Sequence, residues 1–338
     1  MRGSRRSVVR RSTALAAGVT AAVTLAACGQ TAGGGSASEE AFPSKTVDIM
    51  VPAAAGGGWD STARAMQQVI ETDDVITEPV EVFNVEGGGG ATGLSQLQKD
   101  KGDPHALMVT GLVMIGALEQ ANSPVSFEDV TPIATLTSEA EAFVVPADSE
   151  FESIEDVVAA YEQDPSSVTF GGGSAGGSDQ LVVAELLKEA GAQPSEMKYV
   201  GYSGGGEAIA GILSGDVAVG VSGVSEFEEQ IEAGDMRLLA ISTAETQEVA
   251  GEDAPTLADA GYDIDFSNWR ALVAAPGISD EAKAQVTETV DAMHETQGWK
   301  DALETNGWAD FYKTGDEAQE YIDGEVERVA ALYEDLGL

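Results

Sequence analysis

From Thr46 onward, short apolar runs rich in β-branched residues alternate with longer stretches whose apolar positions recur every three to four residues. "TVDIMVPA" reads as a strand and "STARAMQQVIE" as a helix; "VEVFNV" and "ATGLSQLQK", then "HALMVTG" and "LVMIGALEQ", repeat the pair. A period of two followed by one of 3.6, again and again, predicts α/β units on largely parallel sheets. The alternation continues through "EAFVVPA", "SSVTF", "MKYVGY", "VAVGVSG" and "MRLLAIS", with helices between them. Ser153 and Asp156 have the spacing of a capping box before "IEDVVAAYEQ", and Gly191 stops "LVVAELLKEA". "SNWRALVAAPGIS" begins as a strand. Two helices are expected to close the chain, one from Ser279 and one from Thr314, the second with Glu317 in capping-box position. Tyr321, Ile322, Val326, Val329 and Leu332 form one apolar stripe on it, the mark of a core-facing helix.

Glycine breaks this pattern at four strand-to-helix joints: "AAAGGGWD" (53–60), "VEGGGGATG" (85–93), "GGGSAGGS" (171–178) and "GYSGGGE" (201–207). In an open α/β sheet, ligands bind beyond the carboxyl ends of the strands. Helix N-termini there offer N–H groups without acceptors and a positive dipole end. Glycine removes the Cβ and lets a ligand approach the backbone. Four such joints point to an oxyanion held largely by backbone N–H groups; tight turns without a ligand are the plainer alternative. Asp60 is well suited to cap the helix that follows it. Trp59 either walls a pocket or packs beneath the loop.

Gly171/Gly173/Gly176 and Gly88/Gly90/Gly93 also fit G-x-G-x-x-G, which raises a secreted NAD-type oxidoreductase as a rival. The acidic residue expected after the next strand is missing, because "MKYV" runs into Gly201, Tyr202 and Ser203. No phosphate-loop motif and no Cys/His cluster is present, so neither a cofactor nor a metal is expected.

The chain has 58 acidic and 17 basic residues among 338, a formal charge of −41. Such a surface repels nucleic acid and anionic lipid heads. The N-terminus is the exception. Five arginines precede a small-residue apolar stretch and "LAAC" at 25–28, the layout of a signal peptide ending at the chain's single cysteine. Residues 1–27 are read as the leader, Cys28 as the site of lipid attachment, and the Gly/Ser/Ala-rich 28–42 as a flexible tether. Two arginine pairs in the leader leave the export route open, and a lone cysteine allows no internal disulfide.

"VDIMVPAAAGGGWDSTARAM", "FNVEGGGGATGLSQL", "FGGGSAGGSDQL", "YVGYSGGGEAIAGILSGDVAVGVS" and the late "MRLLAISTAE" to "FSNWRALVAAPGIS" together resemble the solute receptors of tripartite tricarboxylate transporters. The resemblance runs from about Pro43 to the C-terminus. Trp59 before Asp60 is similar to the tricarboxylate branch, whereas Ala54 stands where that family has another apolar residue or proline. The resemblance implies an α/β, two-domain type II periplasmic-binding-protein fold with a ligand cleft between domains. The domains would be 43–142 plus 265–338, and 143–264. It further implies an extracytoplasmic monomer, lipid-anchored to the cell membrane, that performs no chemistry. Its partners would be a di- or tricarboxylate such as citrate and membrane transporter subunits; service to a two-component sensor is an alternative. Carried onto this chain, the candidate ligand contacts are Ala54, Gly56, Gly57, Gly58, Trp59 and Asp60 in the first loop and Gly88 and Gly89 in the second. Ser174, Gly176, Gly177 and Ser178 follow in the third loop, and Tyr202 and Ser203 in the fourth. Arg270 is the last, with a core-edge salt bridge as its other role.

Overall fold

The computed structural model describes residues 42–337, apart from 122, 128–129, 173–174 and 203–204. The leader, Cys28 and all but the last residue of the expected tether lie outside the described residues, as do Ser174 and Ser203. Phe42 is already packed: it is buried, its N–H donates to Gln285 Oε1 at 3.0 Å, and its ring lies 5.2 Å from that of His105.

The chain runs first through β1 (Val47–Val51), α1 (Gly58–Thr72), β2 (Val80–Asn84), α2 (Ala91–Leu97), β3 (Ala106–Gly111), α3 (Leu112–Gln120) and β4 (Thr131–Ser138). It crosses into β5 (Glu141–Pro146), α4 (Ile154–Gln163), β6 (Thr169–Gly172), α5 (Ser178–Glu189), β7 (Lys198–Gly201), α6 (Gly205–Leu213), β8 (Val219–Gly223), α7 (Val224–Glu232) and β9 (Met236–Ile241). A small hairpin follows, β10 (Glu248–Val249) with β11 (Glu252–Asp253). The chain then returns through β12 (Arg270–Ala274), α8 (Asp280–Glu295), α9 (Gln297–Asn306), β13 (Ala309–Thr314) and α10 (Gly315–Leu336).

Strand order is β13-β4-β12-β3-β1-β2 in one sheet and β7-β6-β8-β5-β9 in the other. β1 is parallel to β2 and β3, and β6 to β7 and β8, as helix-linked units require. β12 runs antiparallel to β3 and β4, and β5 to β8 and β9. The sheets are therefore mixed, not largely parallel: β5 and β12 enter their sheets from the other sheet, without a helical crossover of their own. The two connecting segments lie side by side. Ala140 bridges to Ser267, and Glu139 and Asn268 exchange backbone hydrogen bonds of 3.2 and 2.9 Å. This brings Glu139 and Arg270 to the same point between the sheets.

Most elements follow the hydrophobic pattern, and the caps at Ser153 and Ser279 hold. Ser153 and Asp156 form a reciprocal capping box, and Ser279 Oγ accepts from Ala282 N. Ile322, Val329 and Leu332 of the expected stripe are buried, with Tyr321 and Val326 against them. Three elements differ. β4 contains Pro132, which removes a strand donor; it is tolerated near the strand start, where the pairing with β12 shifts register. β13 is a half-exposed edge strand with no apolar alternation. α9 is a third late helix, begun afresh by Thr296, whose Oγ1 accepts from Trp299 N. Thr314 precedes α10 without a side-chain capping bond, and Glu317 pairs instead with Lys313 at 3.2 Å.

Packing fixes where the glycine joints open. α1 buries Ala63, Met66, Val69 and Ile70 on the six-stranded sheet, each larger side chain contributing about 1.5–3 kcal/mol. α10 reaches both sheets' helices: Arg328 pairs with Glu185 of α5 at 2.6 Å, and the Tyr333 hydroxyl donates to Gly176 O. Trp269 is fully buried with its Nε1 on Glu325 Oε2 at 2.7 Å, which holds the start of β12 in place.

Candidate functional site

α1, α5 and α7 all begin at one cleft of about 640 Å³. Each follows a glycine N-cap, Gly57, Gly177 and Gly223, with no side-chain capping bond. Helix geometry gives first-turn N–H groups no internal acceptor, and a glycine cap supplies none either. At α1 and α5 the joint is thus an anion-receptive helix end, whereas at α7 Val224 N is taken by Ala140 O and Ser225 N by Glu139 Oε1. Ala54, Gly57, Gly58, Trp59 and Gly89 line the cleft on the six-stranded side, and Ser178, Asp179, Ser222 and Glu226 on the other. Glu139, Asn268 and Arg270 lie at the crossover between them.

Arg270 is only 6% exposed. Its Nη2 donates to Glu139 Oε2 at 3.0 Å, and its guanidinium carbon lies 5.2 Å from the Trp308 ring centre. The guanidinium crosses Gly58 so closely that a Cβ there would fall 2.7 Å from Nη2, so this glycine makes room for the arginine. Arg270 Nη1 is buried and has no hydrogen-bond partner among the described residues. One guanidinium nitrogen of this cleft-lining residue therefore holds a salt bridge, and another is buried without a partner among the described residues. Glu139 is steadied further by the Ser225 hydroxyl and by Ser225 N at 3.3 Å.

A second carboxylate group lies on the five-stranded side. Ser178 has one hydroxyl proton and two carboxylates in reach; it donates to Asp179 Oδ1 at 3.1 Å, and neither oxygen of fully buried Glu141 has a partner within hydrogen-bond geometry among the described residues. Burial first, and then the charge of Asp179, push Glu141 well above the usual carboxylate range.

Asp60 does not cap the helix. α1 begins two residues earlier, and Asp60 is buried in its first turn. Its carboxylate accepts from Gly56 N, Arg64 Nε and Asn84 Nδ2 at 2.9, 2.9 and 3.0 Å, locking the loop to β2. The Arg64 hydrogen bond, helped by Gly56 and Asn84 and opposed by burial, brings Asp60 down to about 2. A folded-state value below the ordinary one means that ionised Asp60 stabilises the fold above about pH 4, and that this contribution is lost as pH falls through about 2. Thermal unfolding followed from pH 5 to pH 2 should therefore fall less steeply in Asp60→Asn than in the parent. The difference should be on the order of 2 kcal/mol; parallel curves would show that Asp60 is not so held.

Of the residues expected at the site, the fold gathers Ala54, Gly57, Gly58, Trp59, Gly89, Ser178 and Arg270 at the cleft. Gly56, Asp60, Gly88, Gly176, Gly177 and Tyr202 are not among its lining. Gly56 serves Asp60, and Gly177 caps α5. Gly176 has φ +77° and donates to Gln180 Oε1 at 2.8 Å, so it shapes the loop. Tyr202 packs over Gly171 and Gly211 in the five-stranded half. Sequence reasoning did not single out Glu139, Asp179, Ser222, Glu226 or Asn268. Asp179 directly follows Ser178 in a glycine loop and was within reach; the others are brought in by the crossover and by α7, and no local pattern marks them.

The sequence matches the family described as "Tripartite tricarboxylate transporter family receptor" over residues 63–338. It is 28% identical over 255 residues to a protein encoded in the TAR-I ttuE-ttuC' intergenic region of Agrobacterium vitis, covering 75% of this chain and 72% of that one. A TctC solute-binding protein from Polaromonas superposes with a TM-score of 0.74 at 22% identity, covering 87% of this chain and 100% of that one. MatC from Rhodopseudomonas palustris, solved with bound malate, superposes with a TM-score of 0.68 at 20% identity, covering 86% and 99%. The two-sheet α/β architecture is that of the two-domain periplasmic solute-binding proteins.

Proposed function

Because this chain belongs to the tripartite tricarboxylate transporter family of receptors, we propose that it captures a small carboxylate in the cleft between its sheets and passes it to the membrane subunits of a transporter. The family is one of solute receptors and not of enzymes, which sets aside the oxidoreductase. The observation that carries the reading is Arg270 Nη1, buried and without a partner among the described residues, in a side chain that lines a cleft where α1 begins behind an uncapped glycine. A carboxylate accepting from that nitrogen and from first-turn N–H groups would gain charge-assisted hydrogen bonds of about 1.5–3 kcal/mol each. The bound malate of MatC supports the same class.

In this reading the lobes are 43–142 plus 265–338, and 143–264, and they close by bending at the paired segments around Ala140 and Ser267. The protein works outside the cytoplasm as a monomer, tethered through a lipid on Cys28. Among the described residues no helix is long and apolar enough to cross a membrane. The di- and tricarboxylates, citrate among them, head the candidate ligands.

Thermal shift tests the assignment. Citrate, tricarballylate, succinate, malate and glutamate would be screened, with NAD and sugars as controls. A true ligand at about 100 times its dissociation constant should stabilise the fold by about 2.7 kcal/mol. A shift with NAD or a sugar and none with any carboxylate would contradict the proposal.

A further inference from the structure

α10 packs on β4 and α3 of the six-stranded half, yet its last turns reach the glycine loop that opens α5 in the other half. Tyr333, buried near the end of α10, donates its hydroxyl proton to Gly176 O. Burial, and then the charge of Glu119, push this phenol up to about 12, so the proton stays in place at neutral pH. The hydrogen bond passes beside α3 at Gly116. A Cβ on Gly116 would lie 2.6 Å from Gly176 O and 3.0 Å from Tyr333 Oη. Glycine inside a helix is less favourable than alanine, and α3 carries one where this bond needs the room.

The bond fixes a peptide plane. In a trans peptide the carbonyl of one residue and the N–H of the next point opposite ways. With Gly176 O on Tyr333, the N–H of Gly177 turns away from α10. Gly177 is the N-cap of α5, with φ −87°, and α5 opens on the cleft at Ser178. Both residues flanking the plane are glycines. Turning it over rotates ψ of Gly176 and φ of Gly177, and glycine accepts the positive φ that results. The carbonyl, the negative end of the peptide dipole, would then take the place of the N–H.

Resting on the carboxylate-receptor reading, we propose that Tyr333 is a positioning residue for ligand capture: from α10 it holds the Gly176–Gly177 peptide so that the N–H, and not the carbonyl, faces an anion at the start of α5. Tyr333 lies outside the cleft lining and acts through this peptide. Without its hydroxyl the peptide populates both orientations, and only one receives the ligand. Apparent affinity then falls in proportion to the competent fraction. Loop rearrangement of this size is fast, so the loss appears in the association rate, and dissociation from the correct orientation is unchanged.

Tyr333→Phe keeps the ring and removes only the hydroxyl. Calorimetry and stopped-flow binding, with the tightest carboxylate from the thermal screen, should show affinity weakened about ten-fold or more, with dissociation changed by less than about two-fold. Gly116→Ala favours helical α3 but crowds the same bond, so it should give the same kinetic signature. The double variant should add little to either single change. Lys188→Met breaks the 2.6 Å ion pair with Asp335 between the same two helices and should bind as the parent does. If Tyr333→Phe binds like the parent, loses affinity through faster dissociation, or loses no more than Lys188→Met, Tyr333 has no such role and the carboxylate receptor stands. If the parent binds no carboxylate, both readings fall.

Discussion

Arg270→Met should weaken carboxylate binding by about 10- to 150-fold and also lower stability markedly. The two losses have different origins. The affinity loss is that of a charge-assisted hydrogen bond of about 1.5–3 kcal/mol from Nη1. The stability loss comes from Glu139, which is 8% exposed and would be left without its 3.0 Å partner. Removing one member of a buried pair costs about 3–5 kcal/mol, because the remaining charge stays desolvated. The cation–π contact with Trp308 is lost as well. The double variant Arg270→Met/Glu139→Gln separates the effects. It leaves no buried charge behind, so its melting temperature should recover most of the way, whereas affinity should stay low. Recovery of both would make Arg270 a structural partner of Glu139 and remove it from the site.

How much of this was legible in the sequence depended on the range over which each feature is determined. The glycine joints, the Ser153–Asp156 capping box and the stripe on α10 are local, and they appear where the residue pattern places them. The start of α1 was misjudged because Asp60 has the chemistry of a cap. Its carboxylate is used instead from the third helical position, reaching back to Gly56 N and across to Asn84 on β2. No spacing rule along one segment reveals a bond to a neighbouring strand. β4 has no strand signature of its own along the chain: it carries Pro132, which removes a strand donor, and the proline is harmless because it lies beside a register shift. The acidic side of the cleft was hidden for another reason. With 58 carboxylates in the chain, proximity of any few carries no signal until the crossover sets Glu139 beside Arg270 and the starts of α5 and α7 bring Asp179 and Glu226 to the same cleft.

The glycine run at α1 gives the sharpest test of where the ligand lies. Gly57 lines the cleft with extended backbone, φ −85° and ψ 177°, which any residue adopts. A Cβ built there has no heavy atom within 4 Å. Gly176 does not offer such a test, since its φ of +77° strains any side chain placed on it. A valine at 57 projects into the space through which a ligand would reach the N–H groups of Gly58 and Trp59, and losing glycine as the cap costs no more than about 1 kcal/mol. Gly57→Ala and Gly57→Val should therefore lose affinity in steps, the second by 100-fold or more, with little change in melting temperature. The deciding measurement is calorimetric titration of the parent and Gly57→Val with the tightest carboxylate found in the thermal screen. The structure predicts one site per chain in the parent and no detectable heat of binding in a folded Gly57→Val; full affinity in that folded variant would place the ligand outside this cleft.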